Sequence, residues 1–321
     1  MLEVEGLRTE IATEAGPLWA VDGVSFSLAA GEVMGLVGES GCGKSMTALS
    51  LMRLLPANAR VTGAAVRLAG TDLLALPEAA MRALRGDRIA MIFQDPMAAL
   101  NPVFTVGEQI AETLRHHRGL DSRTAWQQAE RLLDRVGIAE ADRRARSYPH
   151  EFSGGMRQRV MIAIAISCGP DLLIADEPTT ALDVTVEQQI LALLDELRRD
   201  SGTAILLITH NLALAGQHCD RIAVMYAGQI VEQGPADSLL AAPLHPYSQG
   251  LLAAMPRGPI SEGRIAPIAG LPPVLFGPRQ GCSFAPRCPH RFAPCETNPP
   301  GLVESGPGRT ARCFLLEAGA R

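Results

Sequence analysis

Along the chain, short uninterrupted apolar runs alternate with longer segments whose apolar residues recur every three or four positions. The runs at 33–37, 89–93, 172–175 and 204–208 show no polar alternation, which is the pattern of strands covered on both faces. Residues 77–85, 124–136 and 186–200 carry apolar side chains at helical spacing beside polar ones, so they read as surface helices. From residue 1 to about 234 this alternation predicts an α/β domain with a largely parallel sheet. Beyond Gly234 the texture changes: Pro235, Pro243, Pro246, Pro256, Pro259, Pro267, Pro272 and Pro273 interrupt any long element, and a loop-rich extension is expected. No repeat of fixed period occurs, which argues against a solenoid or propeller.

Size and charge narrow the picture. A chain of 321 residues accommodates one main domain with an appendage. Its net charge of −5 supplies no broad basic surface for a phosphate backbone, so nucleic acid is not the expected partner. The longest apolar stretches, 160–166 and 204–208, fall far short of the roughly 20 residues that cross a bilayer. Residues 1–5 are acidic and no basic-then-apolar leader follows, so a cytosolic protein is expected. In that compartment the seven cysteines are not expected to form structural disulfides. Cys42, Cys168 and Cys219 sit in small or apolar contexts suited to core packing, whereas Cys282, Cys288, Cys295 and Cys313 gather near the end.

The chemistry concentrates in three places. Gly38-Glu39-Ser40-Gly41-Cys42-Gly43-Lys44-Ser45 fits G-x-x-x-x-G-K-S, after a predicted strand and before a helical run beginning at Met46. Glycines let backbone N–H groups curl around an anion, the helix start adds positive partial charge, Lys44 reaches outer phosphates and the Ser45 hydroxyl suits Mg2+. The apolar run 172–175 ends in Asp176-Glu177, where one carboxylate can support a hydrated metal and the next can polarise a water. His210 closes the next apolar run at the same expected sheet edge, and Gln94, after Ile92-Phe93, offers an amide to metal or water. Ser153-Gly154-Gly155 forms a second potential anion site: a serine placed as N-cap and two glycines ahead of a helix over 156–166.

The segment from Phe152 through Ser153, Gly154, Gly155 and Met156 to Arg159 resembles the LSGGQ signature of the ABC transporter ATPases, with Phe152 and Met156 in place of the usual Leu and Gln. The resemblance covers residues 1 to about 240. It implies a P-loop NTPase cassette with a RecA-like core, an N-terminal antiparallel β subdomain and a helical signature subdomain near 97–166. It also implies that Gln94 is the Q-loop, 181–183 with Asp183 the D-loop, Glu177 the catalytic glutamate and His210 the switch histidine. Residues 38–45, Gln94, Asp176, Ser153, Gly154, Gly155 and Asp183 would bind nucleotide, with Ser45, Gln94 and Asp176 on Mg2+. Two cassettes of this family sandwich two ATP molecules head to tail. The family usually stacks adenine on an aromatic near the N-terminus; Ile11 and Trp19 are the candidates here.

Pro243-Leu244-His245-Pro246-Tyr247-Ser248, running on to Leu251-Leu252, resembles the segment that follows the cassette in oligopeptide and dipeptide importers, and the four late cysteines resemble that subfamily's C-terminal tail. Residues 241–321 are therefore expected to form a small irregular extension. Four thiolates suit a [4Fe–4S] cluster or a tetrahedral Zn2+ site, and the subfamily resemblance favours the cluster. The spacings lack tight C-x-x-C pairs and are unlike a zinc ribbon. The resemblance further implies two permease subunits, a second, related ABC ATPase, an external solute-binding protein, and a peripheral location on the cytoplasmic face of the inner membrane. Residues 95–102 resemble the family's contact surface for the permease. Di- or oligopeptide import is the expected role; nickel, glutathione or opine import stays open, as does a soluble ABC ATPase without a permease or a module in which the cluster senses redox state.

Overall fold

The computed structural model describes residues 1–180, 182–255 and 268–317; Ala181 of the expected D-loop and Pro256, Pro259 and Pro267 lie outside the described residues. The chain divides into two compact units, one of 1–28, 33–74 and 207–321, the other of 29–32 and 75–206.

In the first unit, Leu2–Thr13 and Gly16–Leu28 form a long antiparallel hairpin whose register runs from Leu2 opposite Leu28 to Thr13 opposite Gly16. Gly16 takes the turn at φ 114, where a Cβ would be strained. Ala59–Val61 and Ala65–Leu68 pair antiparallel along the other edge of Leu2–Thr13, and Thr71–Asp72 follows. This is the expected antiparallel subdomain. In the same unit, Val33–Val37 lies parallel to Arg221–Tyr226, and Gln229–Pro235, Thr310–Ala311 and Val303–Glu304 continue the sheet antiparallel. All five residues of Val33–Val37 are buried, as an uninterrupted apolar run requires when both faces are covered.

In the second unit, Ile89–Ile92 and Leu172–Asp176 pair in parallel and are buried throughout. The helices Val106–Arg118, Ser122–Arg135 and Gly154–Ile166 pack on one another, giving the expected helical signature-bearing part. Thr105 caps the first through the Glu108 N–H, and Gly119 ends it in the left-handed region. Val184–Ser201, capped by Asp183, buries Ile190, Leu191, Leu193, Leu194 and Leu197.

The buried strands match their sequence-based ranges to within a residue and the surface helices to within two. The extension contains more helix than its prolines suggest, because Pro246 occupies the first turn of Pro246–Ala253, where a missing N–H breaks nothing. Among the described residues no helix is long and apolar enough to cross a membrane.

Cys42, Cys168 and Cys219 are 1%, 2% and 8% exposed, in keeping with a packing role. Cys219 backs onto Gly35, where even a Cβ would come within 3.0 Å of its sulfur, and burial pushes its thiol up to about 12. We expect brief alkylation of the native chain at neutral pH, read by peptide mass spectrometry, to leave Cys219 unmodified and to label it only after denaturation. Labelling of Cys219 in the native chain would contradict this packing.

Candidate functional site

The glycine loop belongs to the first unit and is shaped by close backbone approach. A Cβ on Gly38 would stand 2.2 Å from the Met225 carbonyl oxygen, and one on Gly43 would stand 2.3 Å from that of Ala20. Gly41 and Gly43 have φ of 76 and 107. No other residue type fits these turns without moving backbone. Gly43 caps Lys44–Met52, so the helix's first N–H groups open onto the loop. Lys44 is 5% exposed, and its ammonium donates to the Gly38 and Glu39 carbonyls at 2.8 and 2.9 Å. A buried cation held by carbonyls at the mouth of an N–H-lined turn is a fitting receptor for phosphate. Cys42 lies within the loop, its thiol raised by burial against the opposing pull of Lys44. Ser45 is half-buried at the start of the helix.

His210, in the same unit, follows Ala204–Thr209 and is exposed; the Thr209 hydroxyl and the Asn211 cap of Leu212–His218 fix the turn around it. Of the adenine candidates, Ile11 pairs with Leu18 and Trp19 with Glu10 on neighbouring strands. The Arg8 guanidinium already lies over the Trp19 ring at 4.3 Å.

The second unit places the remaining residues. Asp176 is buried at the end of Leu172–Asp176, and Glu177 follows at φ 47, a left-handed backbone that a non-glycine residue seldom adopts. The Glu177 carboxylate accepts from Gln94 Nε2 at 3.0 Å and from the Thr180 hydroxyl at 2.8 Å. Gln94, expected only to offer an amide to metal or water, thus lies against the acidic strand end, and Thr180 is a partner that sequence reasoning missed. Ser153 caps Gly154–Ile166 as its position suggested, accepting from Met156 N–H. Gly155 packs against Val186, but nothing lies within 4 Å of a Cβ on Gly154, which is exposed. The chain's own packing therefore does not demand a glycine at 154. Asp183 is exposed and caps the next helix through Val186 N–H at 2.9 Å.

The four late cysteines, all in the first unit, line one small cavity together with Phe284, Phe292 and Phe314. Burial raises the thiols of Cys282, Cys288 and Cys313, the last to about 11, and neighbouring cysteines raise each further. Backbone N–H groups of Phe284 and Ala285, of His290 and of Leu315 work the other way, favouring the respective thiolates. Among the described residues no three His, Cys, Asp or Glu side chains converge on one point as the ligands of a single ion would. The four cysteines thus share the lining of one apolar cavity, with backbone N–H donors beside three of the sulfurs.

The extension meets the glycine loop through contacts that sequence reasoning did not foresee. Arg287 grips the Glu39 carboxylate through both terminal nitrogens at 2.6 and 2.9 Å, and the Tyr247 hydroxyl accepts from Glu39 N–H at 2.9 Å. Arg279, also buried, pairs with Asp22 at 2.7 Å.

Comparison with known proteins identifies the family. The family profile for ABC transporters matches residues 21–180, and that for the oligopeptide/dipeptide transporter C-terminal region matches residues 231–295. The oligopeptide transport ATP-binding protein OppD of Salmonella typhimurium is 51% identical over 314 residues, 98% of this chain and 93% of that protein. The dipeptide transport ATP-binding protein DppD of Bacillus subtilis is 46% identical over 318 residues, 99% of this chain and 95% of that protein. Among solved structures, a dimeric ATP-binding cassette in a post-hydrolysis state with ADP and Pi aligns with a TM-score of 0.67 at 26% identity, covering 74% of this chain and 99% of that one. The chain belongs to the ABC transporter ATP-binding proteins, in the branch that carries the oligopeptide/dipeptide transporter C-terminal region.

Proposed function

We infer that this chain is the ATP-hydrolysing subunit that drives import of di- or oligopeptides through a membrane permease. The observation that carries the catalytic part is the Glu177 carboxylate, set at φ 47 just beyond a buried strand and held by Gln94 and Thr180. Names of the relatives, oligopeptide and dipeptide transport, support the peptide cargo. The chain is read as a cassette over 1–240, with its helical part near 97–166, and an extension over 241–321; family matches over 21–180 and 231–295 support two regions in that order.

In this reading the loop 38–45 wraps the phosphates with backbone N–H groups, and Lys44 exchanges its carbonyl partners for phosphate oxygens. Mg2+ supplies charge neutralisation when bound, and Ser45, Gln94 and Asp176 are the residues suited to hold it. Glu177 orients the attacking water and accepts its proton; His210 and Asp183 complete the surroundings of the phosphate. The exposed Ser153-Gly154-Gly155 turn serves the nucleotide of a second cassette, a role supported by the vacant space at Gly154 and by the dimeric assembly of the similar cassette. ATP then closes the pair because its γ-phosphate is gripped from both sides only in the closed state. The second cassette is a related ATPase, the complex includes two permease subunits served by an external solute-binding protein, and the chain sits peripherally on the cytoplasmic face of the inner membrane. Met97, Val103 and Phe104, exposed apolar residues in and beside the 95–102 segment, suit a permease contact. The Cys282, Cys288, Cys295 and Cys313 cavity is read as the seat of a [4Fe–4S] cluster, which when bound would fasten four points of the proline-rich extension together.

Three outcomes test this reading. Glu177→Gln in the assembled complex should keep nucleotide binding and lower turnover by about 100-fold or more; wild-type turnover would remove Glu177 as the base. Val103→Asp combined with Phe104→Asp should cut peptide uptake about tenfold and weaken co-purification of the permease, with nucleotide binding by the separate chain unchanged. Chain purified without oxygen should carry iron and acid-labile sulfide in equal amounts, lost in Cys295→Ser; equimolar zinc with no visible absorbance would remove the cluster.

A further inference from the structure

Within the glycine loop, Glu39 is an anion at a place adapted to receive anions. Every polar group it has is engaged. Its N–H donates to the Tyr247 hydroxyl, its carbonyl accepts from Lys44 and from Cys42 N–H, and its carboxylate is taken up by Arg287. Arg287 is engaged as completely, with a side chain only 4% exposed. Nε donates to the Ala269 carbonyl at 2.8 Å, Nη2 to Glu39 and to the Ile268 carbonyl, and Nη1 to Glu39 and to the Tyr226 hydroxyl at 3.3 Å. Tyr226 and Tyr247 are fully buried with ring centroids 4.6 Å apart, and Phe284 closes on both, so the two hydroxyls have no freedom to wander. A planar fork fixed at five N–H groups determines where the carboxylate sits, and the carboxylate determines where the second residue of the loop sits.

We propose that Arg287, from the C-terminal extension, is a positioning residue that acts on ATP binding through Glu39: it cancels the Glu39 charge beside the phosphates. The proposal rests on the reading that loop 38–45 holds nucleotide phosphates. An uncompensated carboxylate in that loop repels a bound triphosphate at close range in a partly dry setting, where screening is weak. Removing Arg287 alone is therefore worse than removing both charges. A merely structural latch behaves differently, since the loss of its second partner restores nothing.

The full-length chain, titrated with Mg-ADP by calorimetry and assayed for ATPase activity in the assembled complex, tests this. Arg287→Gln should weaken Mg-ADP binding about tenfold and raise KM for ATP similarly, with kcat within about twofold. Adding Glu39→Gln to Arg287→Gln should bring affinity back to within about threefold of wild type, and Arg287→Lys, which keeps the charge but not the fork, should also stay within about threefold. Affinity unchanged in Arg287→Gln, or equally poor in the double variant or in Arg287→Lys, overturns the proposal. If Arg287→Gln lowers the folded fraction, the double variant, with no buried charge left unpaired, decides by the same threefold criterion against wild type. Lys44→Ala separates the two failures: intact Mg-ADP binding there refutes the loop as the nucleotide site, whereas lost binding there with normal binding in Arg287→Gln refutes only the role of Arg287.

Discussion

The loop that receives phosphate has room for nothing beyond backbone. At Gly38 and Gly43 the chain passes so near the carbonyls of Met225 and Ala20 that even one added carbon would stand 2.2 or 2.3 Å from an oxygen. That closeness keeps the loop folded around Lys44, which is buried among the Gly38 and Glu39 carbonyls, and leaves the loop dependent on whatever fixes Met225 and Ala20. Met225 lies in Arg221–Tyr226, paired with Val33–Val37, and Ala20 lies in the long hairpin. The sheet and the hairpin thus act as two walls whose spacing defines the anion site, and packing errors in either are transmitted to it.

How much of this was legible depended on whether the signal was local. Strands buried on both faces announce themselves as unbroken apolar runs, so 33–37 and 172–175 were clear. Ser153 was readable as a cap because its partner, Met156 N–H, is three residues away. The helix Val106–Arg118 escaped attention although Thr105, Glu108 and Gly119 carry the marks of its ends, because its buried face of Val106, Ile110, Ala111 and Leu114 is narrow within an otherwise polar segment. The hairpin 2–28 was obscured differently: register shifts between Val4 and Leu7, Leu7 and Thr9, and Thr9 and Glu10 break the period-two alternation on which strand reading relies.

The nucleotide motifs were legible residue by residue because their chemistry demands particular side chains at fixed spacing. What surrounds them was not. Thr180 supports Glu177 from three positions away with a residue type too common to signal anything. Arg287 and Glu39 are 248 positions apart, and no pattern in one dimension connects them. The cysteines occupy a middle ground: their number and clustering pointed to a shared ligand, but only the fold shows that all four line one cavity and that backbone N–H groups lie beside three of their sulfurs.

The extension is held by a different kind of force from the rest of the first unit. Proline-rich and short of long elements, it contributes few large apolar side chains beyond Phe284, and its attachments to the N-terminal part include two buried arginines, Arg279 on Asp22 and Arg287 on Glu39. Buried ion pairs contribute little net stability, because desolvation offsets most of the attraction, but they tolerate little displacement. Such a joint is poor glue and a good gauge. Arg287 stands directly between Pro286 and Cys288, in the single 3-10 turn Ala285–Arg287. The backbone that carries one thiol to the cavity therefore carries the guanidinium to the loop. The same short turn serves both ends, so the order of the cysteine cavity and the order of the phosphate loop are set by one piece of backbone.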